Sequence, residues 1–76
     1  MPEAFVLVSV DVGKEMYVAN TMKDVEGVKE VSLVYGVYDL VIRVEAPTMQ
    51  QIRRIVAHNI RRNPHVRSTV TMIVAD

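Results

Sequence analysis

The sequence predicts an α+β domain with the element order β-α-β-β-α-β. Three observations carry this. Valine-rich runs with period-two alternation occur four times, and two longer stretches between them carry apolar residues at helical spacing. A glycine-bearing turn, Val34-Tyr35-Gly36-Val37-Tyr38-Asp39-Leu40, joins the two middle runs as a hairpin. Finally, the two halves echo each other: a helix precedes Gly27-Val28-Lys29-Glu30-Val31, and a helix precedes His65-Val66-Arg67-Ser68-Thr69.

The first strand is expected over Ala4 to Val10. Its even positions, Val6, Val8 and Val10, continue to Val12 and are all β-branched, whereas Phe5, Leu7, Ser9 and Asp11 occupy the odd ones. Gly13 ends it. From Lys14 to about Asp24 the chain reads as a helix, because Val18, Met22 and Val25 recur at i, i+4, i+7 beside Ala19. Gly27 stands where a helix stop belongs. Val28 to Tyr35 and Asp39 to Glu45 are the hairpin strands, the latter with Leu40, Ile42 and Val44 on one face. Thr48 and Gln51 form a capping box behind Pro47, so a second helix opens there. Met49, Ile52, Ile55, Val56 and Ile60 make its buried stripe, and Asn63-Pro64 stops it. Val66 to Val74 is the last strand.

Two right-handed β-α-β crossovers place both helices on one face of a four-stranded antiparallel sheet, which is the ferredoxin-like architecture. The other face is expected to carry Phe5, Leu7, Val34, Val41 and Ile73 among Ser9, Ser32, Arg43, Thr69 and Thr71. An apolar patch of that size is rarely left wet. The expectation is a homodimer packed sheet on sheet about a two-fold axis, an α/β barrel-type association.

Size and composition narrow the function. The chain has 76 residues, enough for one domain over 1–76 whose isolated core is marginal. It contains no cysteine, and its two histidines lack partners at ligand spacing, so no structural metal is expected. The longest apolar runs fall short of a membrane span, and no signal peptide is recognisable, so a cytoplasmic location is expected. Charge is balanced but uneven. Residues 1–38 hold three lysines against six carboxylates, and residues 39–76 hold six arginines against three. That imbalance is too small to imply nucleic acid.

The hairpin turn is the strongest chemical feature. Gly36 permits a positive φ or a close approach to the backbone. Asp39 offers a carboxylate that either bonds turn amides or receives a cation from outside. Tyr35 and Tyr38 supply apolar walls with polar tips.

Four stretches together resemble the effector-binding module of the Lrp/AsnC family of transcription regulators, the RAM domain. They are the first strand Ala4-Phe5-Val6-Leu7-Val8; Gly27-Val28-Lys29-Glu30-Val31, of G-V-x-x-V type; the G-x-Y-D turn Gly36-Val37-Tyr38-Asp39; and Val66, Thr69, Thr71 and Val74 of the last strand. The resemblance covers essentially the whole chain. It implies dimers packed through their sheets, a ring of four dimers (an octamer), and a small effector, usually an amino acid, bound between dimers. Carried over, the ligand site is Tyr35, Gly36, Val37, Tyr38 and Asp39, with Thr69 and Thr71 nearby. No cofactor is implied.

Family members carry an N-terminal helix-turn-helix, whereas this sequence begins at the first strand. The expectation is therefore a stand-alone module without its own grip on DNA, able to join a DNA-binding paralogue in mixed oligomers. Tyr35 replaces a residue that is often small and polar in the family, which alters the pocket's size.

Three other readings share the fold. The ACT domain also senses amino acids but pairs sheets side by side; the G-x-Y-D turn and the threonine strand favour the RAM reading. A small enzyme needs an acid or base with a tuning partner, and neither His58 nor His65 is near Asp39 in sequence. An RNA-binding module needs aromatics on its central strands, where only Phe5 is available. No catalytic residue is assigned.

Overall fold

Alternation decides the central strand. In the computed structural model, which describes residues 1–75, β1 spans Glu3–Val10, with Ala4, Val6, Val8 and Val10 buried and the odd positions half-buried. The strand stops at Val10 as expected, and Val12 beyond it is 91% exposed, beside Gly13 at φ 87°. Helix α1 (Glu15–Lys23) buries Val18, Ala19 and Met22, and its remaining face, including Met16 and Tyr17, is exposed. Strand β2 covers Val28–Leu33 and β3 covers Leu40–Glu45. Helix α2 (Met49–Ile55) starts at Thr48, whose side chain accepts a hydrogen bond from the Gln51 N–H at 3.1 Å. That bond satisfies one of the helix's unpaired first-turn donors. Instead of running on as α-helix to Asn63, the chain widens into a π-helical turn over Val56–Ile60. Strand β4 (Val66–Ile73) closes the fold.

The sheet order is β2-β3-β1-β4, and every neighbouring pair is antiparallel. Val18, Ala19 and Met22 of α1 share one core with Ile52, Val56 and Ile60 and with the even positions of β1 and β3. Both helices therefore lie on one face, as the topology requires. Met22, Leu40, Ile42, Ile52 and Ile60 are fully buried, each worth roughly 1.5–3 kcal/mol of transfer free energy.

Gly27 is fixed by the packing. Its φ is 96°, and an added Cβ would lie 2.6 Å from Ile55 Cδ1 and 3.1 Å from the Glu45 carbonyl oxygen. The Glu45 N–H donates to its carbonyl at 2.8 Å. A side chain here would force the tip of Ile55 to shift and would crowd the Glu45 carbonyl, at a φ that side chains rarely adopt.

The edge strand β4 faces opposite to the expectation. Thr69, Thr71 and Ile73 lie across from Val8, Val6 and Ala4, on the helix-bearing face. Val70 and Met72, across from Leu7 and Phe5, lie on the open face instead. The cause is a β-bulge: Ser9 pairs with Ser68 but Val10 pairs with Val66, leaving Arg67 as the extra residue. One extra residue inverts the alternation carried forward from Val66.

Candidate functional site

The hairpin is longer than a tight turn. Its strands end at Leu33 and resume at Leu40, so Tyr35 and Asp39 belong to the loop and not to the strands. The Val34 N–H donates to the Asp39 carbonyl at 2.9 Å and closes the loop's neck. Asp39 is then clamped to β1 twice. Its N–H donates to the Val8 carbonyl, and its Oδ2 accepts the Val10 N–H, each at 2.9 Å. The side chain thus extends the β1–β3 ladder by one rung that the backbone cannot supply. Oδ1 has no hydrogen bond with the described residues, and none of their cationic side chains pairs with this carboxylate. One oxygen holds the fold and the other is unengaged among the described residues.

At the tip Gly36 adopts φ 138°, with no atom within 4 Å of the place a Cβ would take. The glycine serves the backbone conformation, and the space above it is open. Tyr35 is fully exposed and Val37 is 86% exposed, whereas Tyr38 and Asp39 are half-buried at the base. The structure therefore gathers Tyr35, Gly36, Val37, Tyr38 and Asp39 into one projecting element.

Thr69 and Thr71 are elsewhere. Thr69 pairs with Val8, and Val8 pairs on its other side with Leu40, so β1 separates Thr69 from the hairpin. Two strand spacings amount to roughly 10 Å. Both threonines line a different cavity of about 520 Å³ on the helix-bearing face, with Val56, Arg61, Val66 and Arg67. A second open cavity of about 500 Å³ lies between Gly27, Lys29, Glu45, Arg54 and Ile55 and contains none of the candidate ligand-site residues.

The open sheet face carries Phe5, Leu7, Val41, Val70 and Met72, with Ile73 absent from it. Val70 is 41% and Met72 47% exposed. One end of this face is ionic. Arg43 Nη1 meets Glu3 at 3.0 Å and Glu45 at 2.8 Å, and Arg43 Nε lies 3.6 Å from Glu30. The hydrogen bond that Arg43 donates to Glu3, aided by the neighbouring carboxylates, raises the Arg43 pKa above its ordinary value. At the other end the Ser9 and Ser68 hydroxyls bond each other.

Neither histidine joins the hairpin. The His65 ring packs edge-on against Tyr17 at 5.5 Å, with Nδ1 3.5 Å from Asp11, and His58 meets Arg62 at 3.3 Å. Among the described residues no group of His, Asp and Glu could hold a metal, and no helix is long and apolar enough to cross a membrane.

Comparisons with known proteins agree with this architecture. The family model for the Lrp/AsnC ligand binding domain matches residues 3–76. The chain is 37% identical over 73 residues to PH1916, an uncharacterized HTH-type transcriptional regulator of Pyrococcus horikoshii, covering 92% of this chain and 49% of that protein. It therefore spans about half the length of the curated relatives it matches. The crystal structure of FFRP-DM1 superposes with a TM-score of 0.94 at 36% identity, covering 97% of this chain and 99% of that one. A more distant likeness, of fold alone, is to transcriptional regulator NMB0573 of Neisseria meningitidis, solved as an L-Met complex. Its TM-score is 0.85 at 16% identity, over 99% of this chain and 50% of that one.

Proposed function

The chain belongs to the Lrp/AsnC ligand binding domain family, and on that premise we propose that it is an effector-binding and oligomerisation module that takes a free amino acid at the Tyr35–Asp39 hairpin. The family is a ligand-binding one. The observation that carries the amino-acid reading is the divided carboxylate of Asp39. With Oδ2 held by the Val10 N–H, Oδ1 is fixed in direction and unengaged, a preorganised acceptor for an ammonium group. Beside it the backbone at Gly36 is open to a ligand carboxylate. Tyr38 offers a partly covered ring for the ligand's side chain. The Neisseria protein solved with L-Met, which has this fold, lends support to that ligand class.

A protruding tip with Tyr35 bare does not enclose a ligand by itself. The reading therefore includes an assembly. Chains pair through the open sheet face, where Phe5, Leu7, Val41, Val70 and Met72 supply the apolar contact, and dimers join into a ring, with an octamer as the expected size. The hairpin of one subunit then meets a neighbour, and Thr69 and Thr71 reach the ligand from across that seam. Mixed assembly with a DNA-binding paralogue would use the same surfaces.

A thermal-shift screen of the twenty amino acids tests this. A ligand that binds only the folded assembly raises its melting temperature, by an amount set by its concentration relative to Kd. One or a few amino acids raising the midpoint supports the proposal, and twenty flat curves oppose it.

A further inference from the structure

Two breaks in regular backbone meet at one place. In the second helical segment the Arg61 N–H reaches back five residues to the Val56 carbonyl, at 2.8 Å, which makes the turn one residue wider than an α-helical one. In β4 the bulge leaves Arg67 outside the ladder between the Ser9–Ser68 and Val10–Val66 pairs. Such π-turns and bulges recur at functional sites, where they re-aim a side chain. Here the residues that close the π-turn, Val56 and Arg61, and the residues at the bulge, Val66 and Arg67, line the same cavity of about 520 Å³. Each irregularity delivers one arginine to it.

The lining is chemically one-sided. Val56 and Val66 give it apolar floor, and Ser68, Thr69 and Thr71 add hydroxyl-bearing residues; no carboxylate lines it. Neither Arg61 nor Arg67 makes an ion pair with the described residues, in contrast to Arg43, which meets three carboxylates. Arg61 and Arg67 are both exposed, so their side chains are open to a ligand arriving from solvent. Guanidinium groups match the oxygens of phosphate and carboxylate in pairs of parallel hydrogen bonds.

We propose that the cleft between the π-helical turn and β4 is a binding site for a small oxyanion, a phosphate or carboxylate group, held by Arg61 and Arg67. Neither arginine belongs to the hairpin, and no hairpin residue lines this cleft.

The test titrates inorganic phosphate and glutarate into the full chain in oxyanion-free buffer, with chloride at matched ionic strength as control, and follows backbone amide NMR shifts. The site predicts saturable shifts at Arg61, Arg67 and Thr69 at roughly millimolar concentration, with Arg61→Gln and Arg67→Gln each weakening binding by about tenfold. Saturation by phosphate alone or by glutarate alone supports the site and names the oxyanion. Shifts that match chloride, fail to saturate, or survive Arg67→Gln with a well-dispersed spectrum overturn it. Amino-acid binding at Asp39 is read in its own titration, so either proposal can fail while the other stands.

Discussion

Leu7→Glu tests the open sheet face. Leu7 sits in the middle strand, with Val41 across from it on one side and Val70 on the other. In the isolated chain it is already half-buried, so a partner would cover only the remaining part, worth about 1 kcal/mol. A carboxylate trapped there without a cation costs several kcal/mol more, taken as about 3. Arg43, which lies on this face opposite Phe5, is already shared among Glu3, Glu30 and Glu45. Two-fold symmetry doubles the penalty, giving about 8 kcal/mol per dimer, which is more than five orders of magnitude in Kd. The isolated subunit should tolerate the change, because a half-exposed strand position can solvate a glutamate. Sedimentation equilibrium at micromolar concentration should show wild-type dimers or larger species and Leu7→Glu monomers, with unchanged far-UV circular dichroism. A Leu7→Glu protein that associates as tightly as wild type, or a wild type that is monomeric, would refute the face as an interface.

Further predictions concern the frame that positions the hairpin. Gly27→Ala forces a Cβ against Ile55 and the Glu45 carbonyl at φ 96°, and should cost about 2–4 kcal/mol, read by calorimetry as a melting-point drop of roughly 10–25 °C. Thr48→Ala removes the acceptor for the Gln51 N–H and should lower stability by about 1 kcal/mol in urea unfolding. Asp39→Ala leaves the Val10 N–H without its acceptor and should cost about 1–2 kcal/mol, whereas Asp39→Asn keeps an acceptor oxygen and should cost less.

The order of elements was legible because β1, β3 and the two helices each bury one clean stripe. Val6, Val8 and Val10, or Ile52, Val56 and Ile60, have few alternative ways to be covered. Edge strand β4 was not legible in the same way. Thr69, Thr71 and Ile73 mix polar and apolar groups, as do Ser68, Val70 and Met72, so neither set declares the core face. The bulge that decides the matter lies in Val66-Arg67-Ser68 and leaves no distinctive residue behind. The π-turn is similarly silent, since Val56, Ala57, His58, Asn59 and Ile60 suit an α-helix. Because both breaks are silent in the sequence, nothing in it places Arg61 and Arg67 on one cleft. At the hairpin the sequence identified the residues but not their division of labour. Asp39 was readable either as a turn-bonding group or as a ligand acceptor, and its two oxygens allow both.

Calorimetric titration of the amino acid selected by thermal shift, into wild type and Asp39→Asn at equal oligomeric state, tests the hairpin's role most directly. A charge-assisted bond to the ligand ammonium is worth about 1.5–3 kcal/mol, so Asp39→Asn should weaken binding by roughly ten- to a hundredfold. An equal affinity in the two proteins would contradict the account.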